Sequence, residues 1–203
     1  MIAIVDYGVG NLFSLKSSFS AIGYPAEVSG DKAVLQNADK LVLPGVGAFR
    51  DAAQKLKKTG LFELIQEEAE KGKPLLGICL GMQMLFERSF EDGEYEGLSL
   101  LSGEVRYIGE VIPKELKIPQ IGWNSLKFQK ESPLFYGIDE GSYVYFVHSY
   151  SAVNSQDLIA CTEYGALLTA AAGRGNVYGC QFHPEKSGET GLRILKNFAK
   201  EIQ

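Results

Sequence analysis

The sequence predicts an α/β fold: a single three-layer domain over residues 1–203, with a mixed, mostly parallel central sheet flanked by helices and extended by antiparallel strands. Two observations point there. Up to Gly93, short apolar runs alternate with helix-length amphipathic runs, the pattern of strands buried on both faces of a parallel sheet. After Gly93, β-rich runs follow one another across Gly and Pro turns with little helix between them, the pattern of antiparallel pairing.

The elements follow in order. Ile2 to Asp6 is a β-rich run, and Asn11 stands where it could cap a helix over Leu12 to Ile22, stopped by Gly23. A strand over Ala26 to Ser29 precedes a short helix opened by Asp31. Lys40 to Leu43 is a third strand, closed by "PGVG". Helices over Ala48 to Lys58 and Leu61 to Lys71 end at Gly60 and Gly72; Leu61, Leu64, Ile65 and Ala69 recur at helical spacing. Leu75 to Ile78 is the fourth strand, and Met82 to Glu87 reads as helix. Later strands are expected at 103–108, 125–128, 143–150, 158–164, 167–172 and 177–182, with a closing helix over Gly188 to Ile202.

Composition narrows the function. A chain of 203 residues with 45% hydrophobic and 22% charged residues can bury one substantial core. A net charge of -5 gives nucleic-acid binding no electrostatic support. No apolar stretch reaches membrane length, and the first residues read as a strand rather than a signal peptide. Three scattered cysteines do not make a disulfide framework, so a reducing cytoplasm is expected.

The chemistry concentrates in "KPLLGICLGMQML", residues 73–85. Gly77 and Gly81 flank Cys79 at a strand-to-helix corner. In such an elbow the nucleophile sits at a strained tip, and bare neighbours let backbone approach. The N–H of Leu80 would face an oxyanion, and the following helix would favour thiolate. A buried structural thiol is the plainer reading of a lone Cys, and the elbow context outweighs it. A nucleophilic Cys needs a base. His183, in "YGCQFHPEKS", stands two residues before Glu185, so the pair can project together and complete a Cys–His–acid set. Cys180 and His183 show a C-x-x-H spacing, but on a strand they face opposite ways, and no metal is expected. Gly45 and Gly47, in "LPGVGAF", leave a strand end with amides free to serve as a second oxyanion donor, or simply a turn. "DYGVGN" lacks the third glycine of a dinucleotide fingerprint.

"GICLGMQ" with a distant "FHPE" resembles the class I, triad glutamine amidotransferases, a flavodoxin-like fold. "DYGVGN", "LPGVGAF", "IGWN", "YFVHSY" and "FHPEKS", in family order along nearly the whole chain, resemble the glutaminase subunits of imidazole glycerol phosphate synthases. The resemblance implies that Cys79 attacks the glutamine amide, with His183 as acid and base and Glu185 holding the ring. It implies an oxyanion hole from Val46, Gly47 and Leu80. It places Gly45, Gln83, Glu91, His148, Ser149 and Tyr150 around glutamine, with Glu91 meeting the substrate ammonium. It implies no cofactor. The implied partner is a (β/α)8-barrel cyclase that takes ammonia and makes imidazole glycerol phosphate and an aminoimidazole ribotide. Trp123, Asn124, Tyr145 and Lys186 match positions near that contact, and the "PGVG" strand matches a gating element. Trp123, on what reads as a glycine-rich turn, suits an interface anchor or a core position. Gln120 departs from the family histidine, which bears on the contact and leaves room for a paralogous cyclase. The alternatives are a glutaminase for another synthase, such as pyridoxal phosphate or anthranilate synthase, and an inactive binding module. An intact Cys79, His183 and Glu185 argues against the last.

Overall fold

A computed structural model describes residues 1–202. The chain opens β1 (Ile2–Val5), α1 (Leu12–Ala21), β2 (Ala26–Ser29), α2 (Lys32–Asn37), β3 (Lys40–Gly45), α3 (Phe49–Thr59), α4 (Leu61–Glu70) and β4 (Leu75–Cys79). A one-turn helix, α5 (Leu80–Gln83), follows, then β5 (Arg88–Ser89), β6 (Tyr95–Glu96) and β7 (Glu104–Tyr107). Next come β8 (Gln120–Ser125), β9 (Lys127–Phe128), β10 (Tyr143–His148), β11 (Tyr150–Val153), β12 (Leu158–Glu163), β13 (Leu167–Arg174), β14 (Val177–Cys180) and α6 (Gly188–Glu201).

Eight strands form the central sheet in the order β2-β1-β3-β4-β14-β13-β12-β9. β2, β1, β3, β4 and β14 run parallel, and β13, β12 and β9 continue antiparallel. Alternation along the strands feeds two apolar layers. Ala3, Val5, Leu41 and Leu43 face a cluster with Leu35, Leu56 and Ile65 of α2, α3 and α4. Ile2, Ile4, Val42, Leu76 and Ile78 face a cluster with Leu15 and Phe19 of α1 and Ile194, Leu195 and Phe198 of α6. The order of the parallel strands brings the carboxyl ends of β3 and β4 together, where open α/β sheets place their ligands.

Several expectations need correction. The antiparallel strands do not all extend the central sheet: β8 and β10 pair only with each other, and β11, β7, β5 and β6 form a third sheet. The run expected as a strand over 125–128 splits, so "IGWN" lies on β8 rather than on a turn. The run 143–150 breaks at Ser149, where the chain passes from β10, paired with β8, to β11, paired with β7, and the Ser149 carbonyl accepts from Ile108 N. Asn11 occupies the α1 cap position but its side chain makes no capping bond, unlike Asp31, which accepts from Ala33 N and Val34 N. The helix expected over Met82 to Glu87 is replaced by α5 and a turn. The carbonyls of Met84, Leu85 and Phe86, which a helix would use, accept instead from the 98–101 backbone.

Candidate active site

Cys79 ends β4 with φ 56° and ψ -113°, a conformation side chains other than glycine rarely adopt. The surroundings impose it. A Cβ on Gly77 would stand 2.6 Å from the Gly81 carbonyl oxygen, and one on Gly81 would collide with the Leu43 carbonyl. Gly45 pairs with Cys79 across β3 and β4, and its Cβ would stand 2.7 Å from Gly81 N. Three backbone segments thus touch at the elbow, which only bare Cα atoms permit. The side chain of Cys79 is 7% exposed, and its thiol donates to the Val147 carbonyl at 3.9 Å.

His183 follows β14, and its N–H bonds the Tyr145 carbonyl of β10. Pro184 turns the chain into a single 3-10 turn over Pro184–Lys186, so Glu185 meets the ring through a turn rather than extended chain. His183 Nδ1 lies 2.8 Å from Glu185 Oε1, both side chains being buried. An ionised carboxylate only accepts, so Nδ1 carries the proton. Nε2 is buried with no hydrogen-bond partner among the described residues. Burial disfavours the charged ring, but the Cys79 sulfur and the Glu185 carboxylate favour it more, and His183 is pushed up from 6.5 to about 9.

Cys79 and His183 share one cavity of about 370 Å³. Val46, Gly47 and Leu80 line it beside the sulfur. Gln83, Glu91, His148, Ser149 and Tyr150 line it further out, and Lys186 also reaches its wall. Glu91 Oε2 accepts from Phe49 N at 2.7 Å. Burial raises the Glu91 pKa against that bond, and the nearby Asp92 and Asp51 carboxylates add to the rise. Gly47 has φ 94° and open space around its Cα, and Val46 is exposed. Gly45 is not on the wall; it backs the elbow instead. The helix dipole expected behind the thiolate is small, because α5 has a single turn.

His148 is a hydrogen-bonded wall residue: Nδ1 donates to the Tyr150 carbonyl at 2.9 Å, and Nε2, the acceptor of a neutral ring, meets the Gln120 carboxamide at 3.0 Å, so the Gln120 NH2 must face it, which also gives that buried amide nitrogen its partner. Burial, with the His183 charge adding to it, pushes its pKa down to about 4 despite the Tyr150 bond. Gln120 is therefore a buried partner of the cavity wall, and its departure from the family histidine bears on the pocket. Trp123, Asn124 and Tyr145 lie outside the cavity. Trp123 is 55% exposed on β8, opposite Tyr145, with the rings edge-to-face at 6.1 Å. Lys186 Nζ sits 5.9 Å from the Tyr145 ring centre. Asn124 spends its amide on the Glu163 carbonyl and Ser125 N.

Sequence reading missed two residues. Gln181 Nε2 lies 3.8 Å from Cys79 Sγ; its signal was a polar side chain inside the apolar run "VYGCQF". Tyr7, in "DYGVGN", is buried, and its hydroxyl donates to the Pro44 carbonyl at 2.8 Å. That loop braces the "PGVG" segment, as the 2.9 Å approach of a Gly10 Cβ to Pro44 Cβ also indicates. Among the described residues no group of three His, Cys, Asp or Glu could hold a metal, and no helix is long and apolar enough to cross a membrane.

The chain as a whole has counterparts. The class-I glutamine amidotransferase description matches residues 3–202. The imidazole glycerol phosphate synthase subunit HisH of Caldanaerobacter subterraneus subsp. tengcongensis is 53% identical, over 100% of this chain and 99% of that protein. The subunit of the same name from Oceanobacillus iheyensis is 47% identical over 100% of both. PurLQS from Thermotoga maritima superposes with a TM-score of 0.73 at 19% identity, covering 100% of this chain and 98% of that one, a likeness of fold alone. Full-length identity at this level settles the kinship: the chain belongs to the class-I glutamine amidotransferases, and among them to the HisH subunits of imidazole glycerol phosphate synthase.

Proposed function

We propose that Cys79, His183 and Glu185 hydrolyse glutamine and that the ammonia passes to a (β/α)8-barrel cyclase bound to this chain. The observation that carries the reading is the sulfur on its strained corner sharing one cavity with an unpartnered imidazole nitrogen. His183 Nε2 takes the thiol proton before attack, as its raised pKa favours, and the Cys79 thiolate then attacks the side-chain carbonyl carbon of glutamine. The developing oxyanion is met by N–H groups of Leu80 and of the Val46–Gly47 segment. His183 returns the proton to the departing nitrogen, which leaves as ammonia. Water, deprotonated by the same nitrogen, attacks the thioester and releases glutamate. Glu185 keeps the ring oriented and its charge compensated. Glu91, a carboxylate at the far wall, suits the ammonium of a free amino acid.

Ammonia in bulk water at neutral pH is mostly protonated and no nucleophile, so a partner that receives it directly is needed. The sheet of β8 and β10 suits that partner. Ile121 and Tyr143, at 62% and 60% exposed, flank Trp123 there. Lys186 belongs both to the cavity wall and to the Tyr145 side, and so links docking to the site. The exposed Val46–Gly47 peptide, with room around Gly47, is the element that docking would reorient.

The test is Cys79→Ser in the assembled complex. Glutamine-dependent product should vanish while ammonium-dependent product persists. Retained use of glutamine would refute the reading.

A further inference from the structure

We propose that Gln181 is a catalytic residue whose carboxamide donates to the Cys79 sulfur and stabilises it as thiolate, both before attack and as leaving group from the thioester. This deepens the glutaminase reading and rests on it.

Besides the His183 ring, the sulfur has two polar neighbours of opposite kind. The Val147 carbonyl at 3.9 Å can only accept, so it favours the protonated thiol. Gln181 Nε2 at 3.8 Å donates, so it favours the anion. With so little of Cys79 exposed, water can supply few further donors. Removing the thiol proton therefore leaves the anion facing an unfavourable carbonyl, and Gln181 is the fixed neutral donor placed to compensate alongside the His183 ring.

The orientation of the Gln181 amide is forced. Gln83 Nε2 stands 3.1 Å from the Tyr150 carbonyl, which can only accept, so the Gln83 NH2 group must face it. The same NH2 stands 3.0 Å from Gln181 Oε1. Turning Gln181 over would set two NH2 groups against each other. Its oxygen therefore faces Gln83 and its NH2 faces Cys79. His148 Nδ1 bonds the same Tyr150 carbonyl, which steadies the anchor of the chain. The Gln181 backbone is held as well, its N–H bonding the Ala170 carbonyl at 2.8 Å. A donor fixed in this way needs no reorganisation when charge appears on sulfur.

The test measures alkylation of Cys79 by iodoacetamide against pH in the full chain, alone and with its cyclase, for the parent, Gln181→Leu and Gln181→Glu. The rate near neutral pH should fall about three- to tenfold in Gln181→Leu, the scale of one ordinary hydrogen bond, as suits a contact this long. The profile should move to higher pH while the alkaline plateau stays. Gln181→Glu keeps the size and the bond from Gln83, and should shift the profile further in the same direction. If neither variant folds, the parent suffices: the Gln181 side-chain amide resonances should titrate with Cys79 thiolate absorbance and lose that step in Cys79→Ala. Superimposed alkylation profiles, or amide resonances blind to Cys79, would overturn the role. The assay needs no glutamine turnover. Loss of the shift therefore rejects Gln181 alone, while an intact shift in a complex unable to use glutamine rejects the glutaminase reading.

Discussion

Replacing Cys79 by Gly and by Ala tests the strained corner without any chemistry. Both changes discard the same buried sulfur, so their difference isolates the backbone. At an ordinary site Ala wins: glycine loses about 0.4–1 kcal/mol through unfolded-chain freedom, and a buried methyl adds about 0.8 kcal/mol. The usual gap is therefore about 1.5 kcal/mol in favour of Ala. At φ 56° and ψ -113°, however, Ala keeps a strain of about 1–3 kcal/mol that Gly sheds. With about 2 kcal/mol of strain, Gly becomes the more stable variant by about 0.5 kcal/mol. Equilibrium urea unfolding of the two variants, with equal slopes as the control for two-state behaviour, measures the difference. Cys79→Gly should be at least as stable as Cys79→Ala. An Ala variant ahead by the full ordinary margin would refute a strained elbow.

The two histidines should tilt the stability–pH curve in opposite directions. His183, raised to about 9, contributes stability that is complete below about 6.5 and lost as pH rises through about 9. His148, lowered to about 4, contributes stability that is intact above about 6.5 and lost as pH falls through about 4. Denaturant titrations of His148→Gln against the parent should differ in slope between those limits by up to about 1.4 kcal/mol per pH unit, the value for one proton; parallel curves would contradict a neutral buried ring. Trp123→Ala should weaken cyclase binding by about 2 kcal/mol, the scale of an aromatic anchor, or roughly thirtyfold by calorimetry. Unchanged affinity would remove the β8–β10 sheet as the docking face.

The fold was largely legible because its parallel half is built from local signals. Runs such as Leu75 to Ile78 are apolar throughout, glycines such as Gly60 close helices, and Asp31 caps one, all within a few residues of chain. The elbow was legible for the same reason, since Gly77 and Gly81 sit beside the Cys they relieve. What escaped depends on distant partners. Met82 to Glu87 has helical spacing, but the 98–101 backbone takes its carbonyls. Gly122 reads as a turn, yet pairing with Phe146 keeps it in a strand. Gln120 and Gln181 matter only through His148 and Cys79, which nothing near them in sequence reveals. Gly45, which the resemblance places near the substrate, serves through its bare Cα the close approach of Gly81, a contact made across two strands.

The central claim is that one sulfur of three attacks glutamine. Cys79, Cys161 and Cys180 are all free and buried, and burial pushes the pKa values of Cys161 and Cys180 up, which leaves those two unreactive. Treating the cyclase complex with a glutamine-like diazoketone and mapping the adduct by peptide mass spectrometry reads that directly. A single adduct on Cys79, abolished by excess glutamine and absent from His183→Ala, is the expected result. An adduct on Cys161 or Cys180, or none on a folded complex that turns over glutamine, would contradict it.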